Sequence, residues 1–150
     1  MLGFRAAESY KSEHCLLKNV GVASFNKQHL RLASYAVEFS QIVEQLADRE
    51  PKPEEWKHID AVFSRISLFV ATHFREEEAM MESQGYPGYP GHKKQHDRFV
   101  DQLSEVRSQI NNRNINFKGK LSTLLWDWLY KHINEVDYQY GEFFREKGIS

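Results

Sequence analysis

Three short stretches hold residues whose types and spacing could do chemistry together. In HFREEEAMM, His73 and Glu77 are four residues apart, which makes them neighbours on one face of a helix. In HKKQH, His92 and His96 repeat that spacing, and in HINEVD, His132 is followed five residues later by Asp137. His29 stands by itself in NKQHLRL. All these side chains fall on apolar stripes of helical period, where an imidazole or carboxylate is costly unless it is paired or binds a metal. Metal coordination removes the conflict, and bundle metal sites are built from inward side chains on facing helices.

Each piece has an ordinary reading when taken singly. A lone histidine on an apolar face usually packs in a core, and a run of glutamates is usually a solvated face. Glu76 and Glu78 are assigned to solvent on that ground. His14 and His58 fit no stripe and read as surface residues. His58 precedes His73 by about 22 Å of helix, too far to share a site. The weight lies in the convergence of the remaining pieces.

The donor types narrow the metal. Five histidines and two carboxylates exceed one tetrahedral zinc, and no HExxH is present. Calcium or magnesium would want mostly oxygen ligands. Imidazoles with bridging carboxylates suit iron, with manganese or zinc as substitutes. Seven donors divide over two metals if the carboxylates are shared. In a regular α-helix His132 and Asp137 would lie about 140° apart around the axis, so the spacing predicts a widened, π-type turn between them.

Four long segments with helical period must position these groups. They are separated by DREPKPEEW (48–56), SQGYPGYPG (83–91) and NNRNINFKGK (111–120). The first starts near Asn26 and carries His29, Leu32, Ala33, Ala36, Val37, Val43 and Leu46. The second starts after Pro51, with Pro53, Glu54 and Glu55 suited to a first turn. Its stripe runs from Ile59, Val62, Phe63, Ile66 and Val70 to His73 and Glu77. The third starts near Pro90, with Phe99, Val100, Leu103, Val106 and Ile110 beyond its histidines. The fourth carries Leu121, Leu124, Leu125, Trp128, Leu129, His132, Ile133 and Val136. Short connections favour antiparallel neighbours. The expected fold is all-α, an up-down-up-down four-helix bundle with an N-terminal arm and a short C-terminal helix. Residues 1–150 read as a single domain: arm 1–24, bundle about 25–140, tail 141–150.

With 150 residues, 41% hydrophobic and 27% charged, the composition is that of an ordinary globular domain. A net charge of −1 gives no reason to expect nucleic acid or an anionic membrane as partner. No apolar run approaches a membrane span, and the start has no secretory apolar region. The single cysteine, Cys15, excludes an internal disulfide and fits a cytoplasmic location.

The stretches NVGVASFNKQHLRL, HFREEEAMM, HKKQHDRF and WLYKHINEVDYQY resemble the hemerythrins, in particular the bacterial ones. The likeness covers roughly residues 19–144, and the ordered set H…HxxxE…HxxxH…HxxxxD is filled at every position. The resemblance implies a hemerythrin-like domain holding two iron ions as an oxo- or hydroxo-bridged di-iron centre. His92, His96 and His132 would take one iron, His29 and His73 the other, and Glu77 and Asp137 would bridge. The second iron then has an open position for O2, which small anions such as azide or chloride also occupy. Leu129 and Ile133 would form an apolar wall beside His132. Members of the family commonly have Asp where Asn26 stands; the two are comparable N-caps, so the helix start is expected to be unaffected. Bacterial members often carry a Trp in the arm; residues 1–24 have none, which leaves Phe25 on that side of the pocket. Five neutral imidazoles and two carboxylates donate less charge than the glutamate-rich di-iron enzymes. Reversible O2 binding by a carrier, store or sensor is therefore expected, without enzymatic turnover. The alternatives are an O2- or redox-sensing domain acting on a fused or separate signalling output domain, a di-iron enzyme handling peroxide or nitric oxide, and a metal-free structural bundle.

Overall fold

The computed structural model describes residues 17–150, so His14, Cys15 and the arm up to residue 16 lie outside the described residues. Four long helices form the bundle. Helix α1 is Ala23–Leu46, α2 is Pro53–Ser83 and α3 is Tyr89–Asn111. The fourth, α4, runs 117–146 without an intervening turn. It consists of Phe117–Thr123, a π-helical segment Leu124–Trp128, a single α turn Leu129–Lys131, a second π-helical segment His132–Asp137, and Tyr138–Glu146. The last stretch is the C-terminal helix. No strand occurs among the described residues, and no described helix is long and apolar enough to cross a membrane.

The helix boundaries follow from local chemistry. Pro53 opens α2 at a position where its missing N–H costs nothing, and Glu55 reaches back to accept the Lys52 N–H at 2.9 Å. Helix α1 differs from expectation, starting at Ala23 with Val22 as the cap, so Asn26 is inside the helix and is not its cap. The Asn26 side chain serves the arm instead, accepting the Val20 N–H at 3.0 Å and donating to Asn19 Oδ1 at 2.8 Å.

One apolar core runs the length of the bundle, from Leu46, Trp56, Ile59, Ile110 and Phe117 at one end to Phe25, Phe74, Met81, Tyr140 and Phe144 at the other. The stripes depart from the expected ones at five valine or tryptophan positions. On α1, Phe39 and Ile42 are buried while Val37 and Val43 are only half-buried, since the 3.6-residue period drifts toward Phe39. On α3, Val100 is 42% exposed, at the edge of the line through Phe99, Leu103, Val106 and Ile110. On α4, Trp128 and Val136 are half-buried. The π turn carries one more residue, which brings Asp137 inward in place of Val136.

The arm's described end crosses α4 at a very small residue. Gly21 has φ 81, a conformation open to glycine, and Val20 is fully buried. A Cβ on Gly141 would sit 2.1 Å from the Val20 carbonyl oxygen. The Lys18 N–H is tied to Asn134 Oδ1 at 2.8 Å, next to the second π segment. Gly141→Ala is therefore expected to push the arm off α4 and to cost about 1–3 kcal/mol, as overpacking does. Gly119→Ala, on the same helix with nothing within 4 Å of an added Cβ, is expected to stabilise by about 0.5–1 kcal/mol. Urea denaturation of the two variants checks the opposite signs.

Candidate metal centre

Each helix delivers its chemistry at the same level of the bundle. His29 comes from α1, His73 and Glu77 from successive turns of α2, His92 and His96 from successive turns of α3, and His132 and Asp137 from α4. All seven are buried, none more than 3% exposed. The second π segment begins at His132 and ends at Asp137, the widened turn that their spacing predicts.

The seven form two groups that share their carboxylates. Glu77, His92, His96, His132 and Asp137 converge on one side, and His29, His73, Glu77 and Asp137 on the other, with the donor atoms of each group within 4.8 Å of one another. In the first group the three Nε2 atoms are 3.0–3.1 Å apart in all three pairs. Three neutral imidazoles cannot satisfy three such contacts with linear hydrogen bonds. Nitrogens bound at about 2.1 Å and at right angles around one ion would be about 3.0 Å apart. Asp137 Oδ1 lies 3.0 Å from His92 Nε2 and 2.9 Å from His132 Nε2. Its Oδ2 lies 3.1 Å from His29 Nε2 in the other group. Glu77 spans the groups likewise, with Oε1 3.2 Å from His73 and 3.4 Å from His96, and Oε2 3.4 Å from His29.

Several of these buried atoms find no aligned hydrogen-bond partner among the described residues: Glu77 Oε1, both Asp137 oxygens and both ring nitrogens of His29. Buried polar groups are almost always satisfied, so lone pairs left aimed at common points fit cations. The residues present therefore fit a two-metal centre, with nitrogen-rich donor sets and shared carboxylates.

Around the donors lies a second layer that holds the rings. Gln28 Oε1 is 2.5 Å from His73 Nδ1 and Gln95 Oε1 is 3.2 Å from His132 Nδ1. Glu78 is not a solvent residue as expected, because its carboxylate stands 3.5 Å from His96 Nδ1 and from Lys93 Nζ. Glu76 is exposed, as expected, and accepts from Gln28 Nε2. Tyr140 donates its hydroxyl to Glu77 Oε2 at 2.5 Å. Phe74 stacks on His96 with ring centres 3.7 Å apart, and Trp128 stacks on His132 at 4.2 Å. Sequence reasoning found none of these supporting roles. The signal available was a polar residue one position from a ligand, at Gln28, Gln95 and Glu78. Phe25, Leu129 and Ile133 are all buried. The Phe25 ring meets His73 edge-on at 6.1 Å. Leu129 and Ile133 lie in the core on α4, one turn before His132 and immediately after it. His58 is exposed, as expected.

Electrostatics hold the metal-free centre charged. Burial pushes the Glu77 and Asp137 carboxyls up, but the surrounding histidines outweigh it and keep both well below the usual carboxylate range. Burial lowers His29, yet Asp137 and Glu77 more than offset it and raise its pKa to about 9. Burial lowers His96 and, with Glu77 beside it, raises Tyr140. The His29 pKa in the fold lies above the ordinary histidine value of 6.5, so its proton stabilises the metal-free fold. That contribution is complete below pH 6.5 and is lost as pH rises through about 9. The melting temperature of metal-free protein is expected to fall over that interval, and His29→Gln is expected to flatten the fall.

Residues 20–144 match the family model described as the hemerythrin HHE cation binding domain. Among curated relatives, myohemerythrin of Sipunculus nudus is 36% identical over 80 residues, 53% of this chain and 61% of that protein. A bacteriohemerythrin of Methylococcus capsulatus is 29% identical over 60% of this chain and 66% of its own length. One from Pseudomonas aeruginosa is 28% identical over 85% of this chain and 77% of its own. The chain thus spans under two thirds of the length of the first two. No solved structure matches.

Proposed function

The chain belongs to the hemerythrin HHE cation-binding family, and from that we propose that it holds two iron ions and binds O2 reversibly, without turning it over. The observation that carries the reading is the pair of donor groups sharing Glu77 and Asp137. His92, His96 and His132 would hold one iron, His29 and His73 the other, and the two carboxylates would bridge. The His29–His73 position has one protein donor fewer, so O2, or a small anion in its place, would enter there. When bound, two ferrous ions supply the electrons that O2 takes up on binding and returns on release.

The protein's own groups favour release over further reaction. Five of the seven donors are imidazoles, and Tyr140 draws charge from Glu77 through its hydrogen bond. Both features limit the charge donated to the metals, in contrast to glutamate-rich di-iron sites. Phe25, Leu129 and Ile133 would keep water from the open position. Carriage, storage and sensing of O2 all use this one reaction. The bundle would act as a single domain, and the lone cysteine of the sequence suits the reducing cytoplasm.

Purified protein should contain about two irons per chain, and the reduced form should gain visible absorption when O2 is admitted. A single bound zinc, or no metal after growth in iron-rich medium, would overturn the reading.

A further inference from the structure

The donor group of His29 and His73 depends on a hydrogen-bond relay that begins at the surface. Gln28 precedes His29 on α1, and its carboxamide is caught between two residues of α2. Its Nε2 donates to Glu76 Oε2, and its Oε1 lies 2.5 Å from His73 Nδ1. A carboxylate can only accept, so Glu76 dictates that the amide nitrogen faces outward and the amide oxygen faces His73. An amide oxygen also only accepts, so Nδ1 of His73 carries the proton. In a neutral imidazole the other nitrogen then offers its lone pair. That nitrogen, Nε2, is the one 3.2 Å from Glu77 Oε1 within the group.

Each group has one imidazole whose outer nitrogen is hydrogen-bonded by a glutamine, His132 by Gln95 and His73 by Gln28. In the five-donor group, stacked Phe74 and Trp128 also hold the His96 and His132 rings; His96 Nδ1 faces Glu78 at 3.5 Å, and neither it nor His92 Nδ1 has a hydrogen-bond partner among the described residues. In the four-donor group, His29 Nδ1 has no hydrogen-bond partner among the described residues. Gln28 is the side chain that braces the outer edge of an imidazole there.

We propose that Gln28 is a positioning residue for the four-donor metal position: oriented by Glu76, it holds His73 as an Nε2 donor and so sets how tightly the second metal is kept. This rests on the two-metal reading above. The five-donor position does not use the relay and fills independently of it.

Zinc added to metal-free protein and followed by calorimetry is a test that needs no O2 chemistry. Wild type is expected to bind two zinc ions in two steps. Gln28→Ala should weaken one step by about 10–100-fold, the usual effect of losing an outer partner of a ligand histidine. The other step and the helical circular dichroism should be unchanged. The swap Gln28→Glu with Glu76→Gln keeps the direction of the relay, since the amide at 76 donates to the carboxylate at 28, which accepts from His73. It should recover most of the lost affinity. In zinc-loaded wild type, nitrogen-15 NMR should show the His73 proton on Nδ1. The proposal is overturned if Gln28→Ala leaves both steps unchanged or weakens both equally, if the swap binds no better than Gln28→Ala, or if His73 Nδ1 carries no proton. Wild type binding fewer than two zinc ions would instead overturn the two-metal reading, and this inference with it.

Discussion

Glu77→Ala is expected to empty both metal positions, whereas His29→Ala empties only one. Glu77 belongs to both donor groups, with Oε1 facing His73 and His96 and Oε2 facing His29. Removing it takes an anionic donor from each position and leaves the buried Tyr140 hydroxyl without its acceptor. His29 serves the four-donor group alone. Iron per chain should therefore fall from about two to near zero in the first variant and to about one in the second. A ligand held at 1,000 times its dissociation constant adds about 4 kcal/mol to stability. Loss of two such metals removes on the order of 8 kcal/mol, or roughly 15–30 °C of melting temperature for a domain of this size. Metal analysis with thermal melts of both variants measures this. Two irons retained in Glu77→Ala would contradict the shared-carboxylate assignment.

The second large effect is expected at Leu129. It is 7% exposed and lies three residues before His132, beside the Trp128 that stacks on that ring. Core packing alone predicts that Leu129→Ala costs about 2–5 kcal/mol. Leu129→Asn keeps a similar volume but adds a carboxamide that recruits water. If Leu129 keeps water and protons from the oxygenated centre, this variant should load two irons yet decay to the ferric state much faster. A tenfold increase corresponds to about 1.4 kcal/mol off the barrier. The decay of visible absorption in air, taken well below the variant's melting temperature, reads the effect. An unchanged decay in a folded, iron-loaded variant would reduce Leu129 to a packing residue.

Much of this centre could be read from spacing, because a helix converts residue intervals into faces. The i, i+4 pairs His73–Glu77 and His92–His96 share a face in any regular helix. The five-residue interval from His132 to Asp137 demanded a wider turn, and the π segment His132–Asp137 provides it. The other π segment, Leu124–Trp128, had no such signal, because no pair of polar donors spans it. Gln28, Gln95 and Glu78 were not recognised because each is an ordinary helix-surface residue, and their roles arise from contacts between helices. Tyr140 looked like another core aromatic, and only the fold brings its hydroxyl to Glu77, 63 residues away. The start of α1 was misplaced because Asn26 is a good N-cap by type, while in the fold its side chain is occupied by the arm.

Reversible O2 binding at a two-iron centre is tested by a cycle of O2 admission and removal on one reduced, iron-loaded sample, followed by its visible spectrum. The expected result is about two irons per chain, a band that appears with O2, disappears under vacuum and returns over several cycles, and no net consumption of O2. Immediate and irreversible conversion to the ferric state, or steady uptake of O2 with turnover, would contradict it.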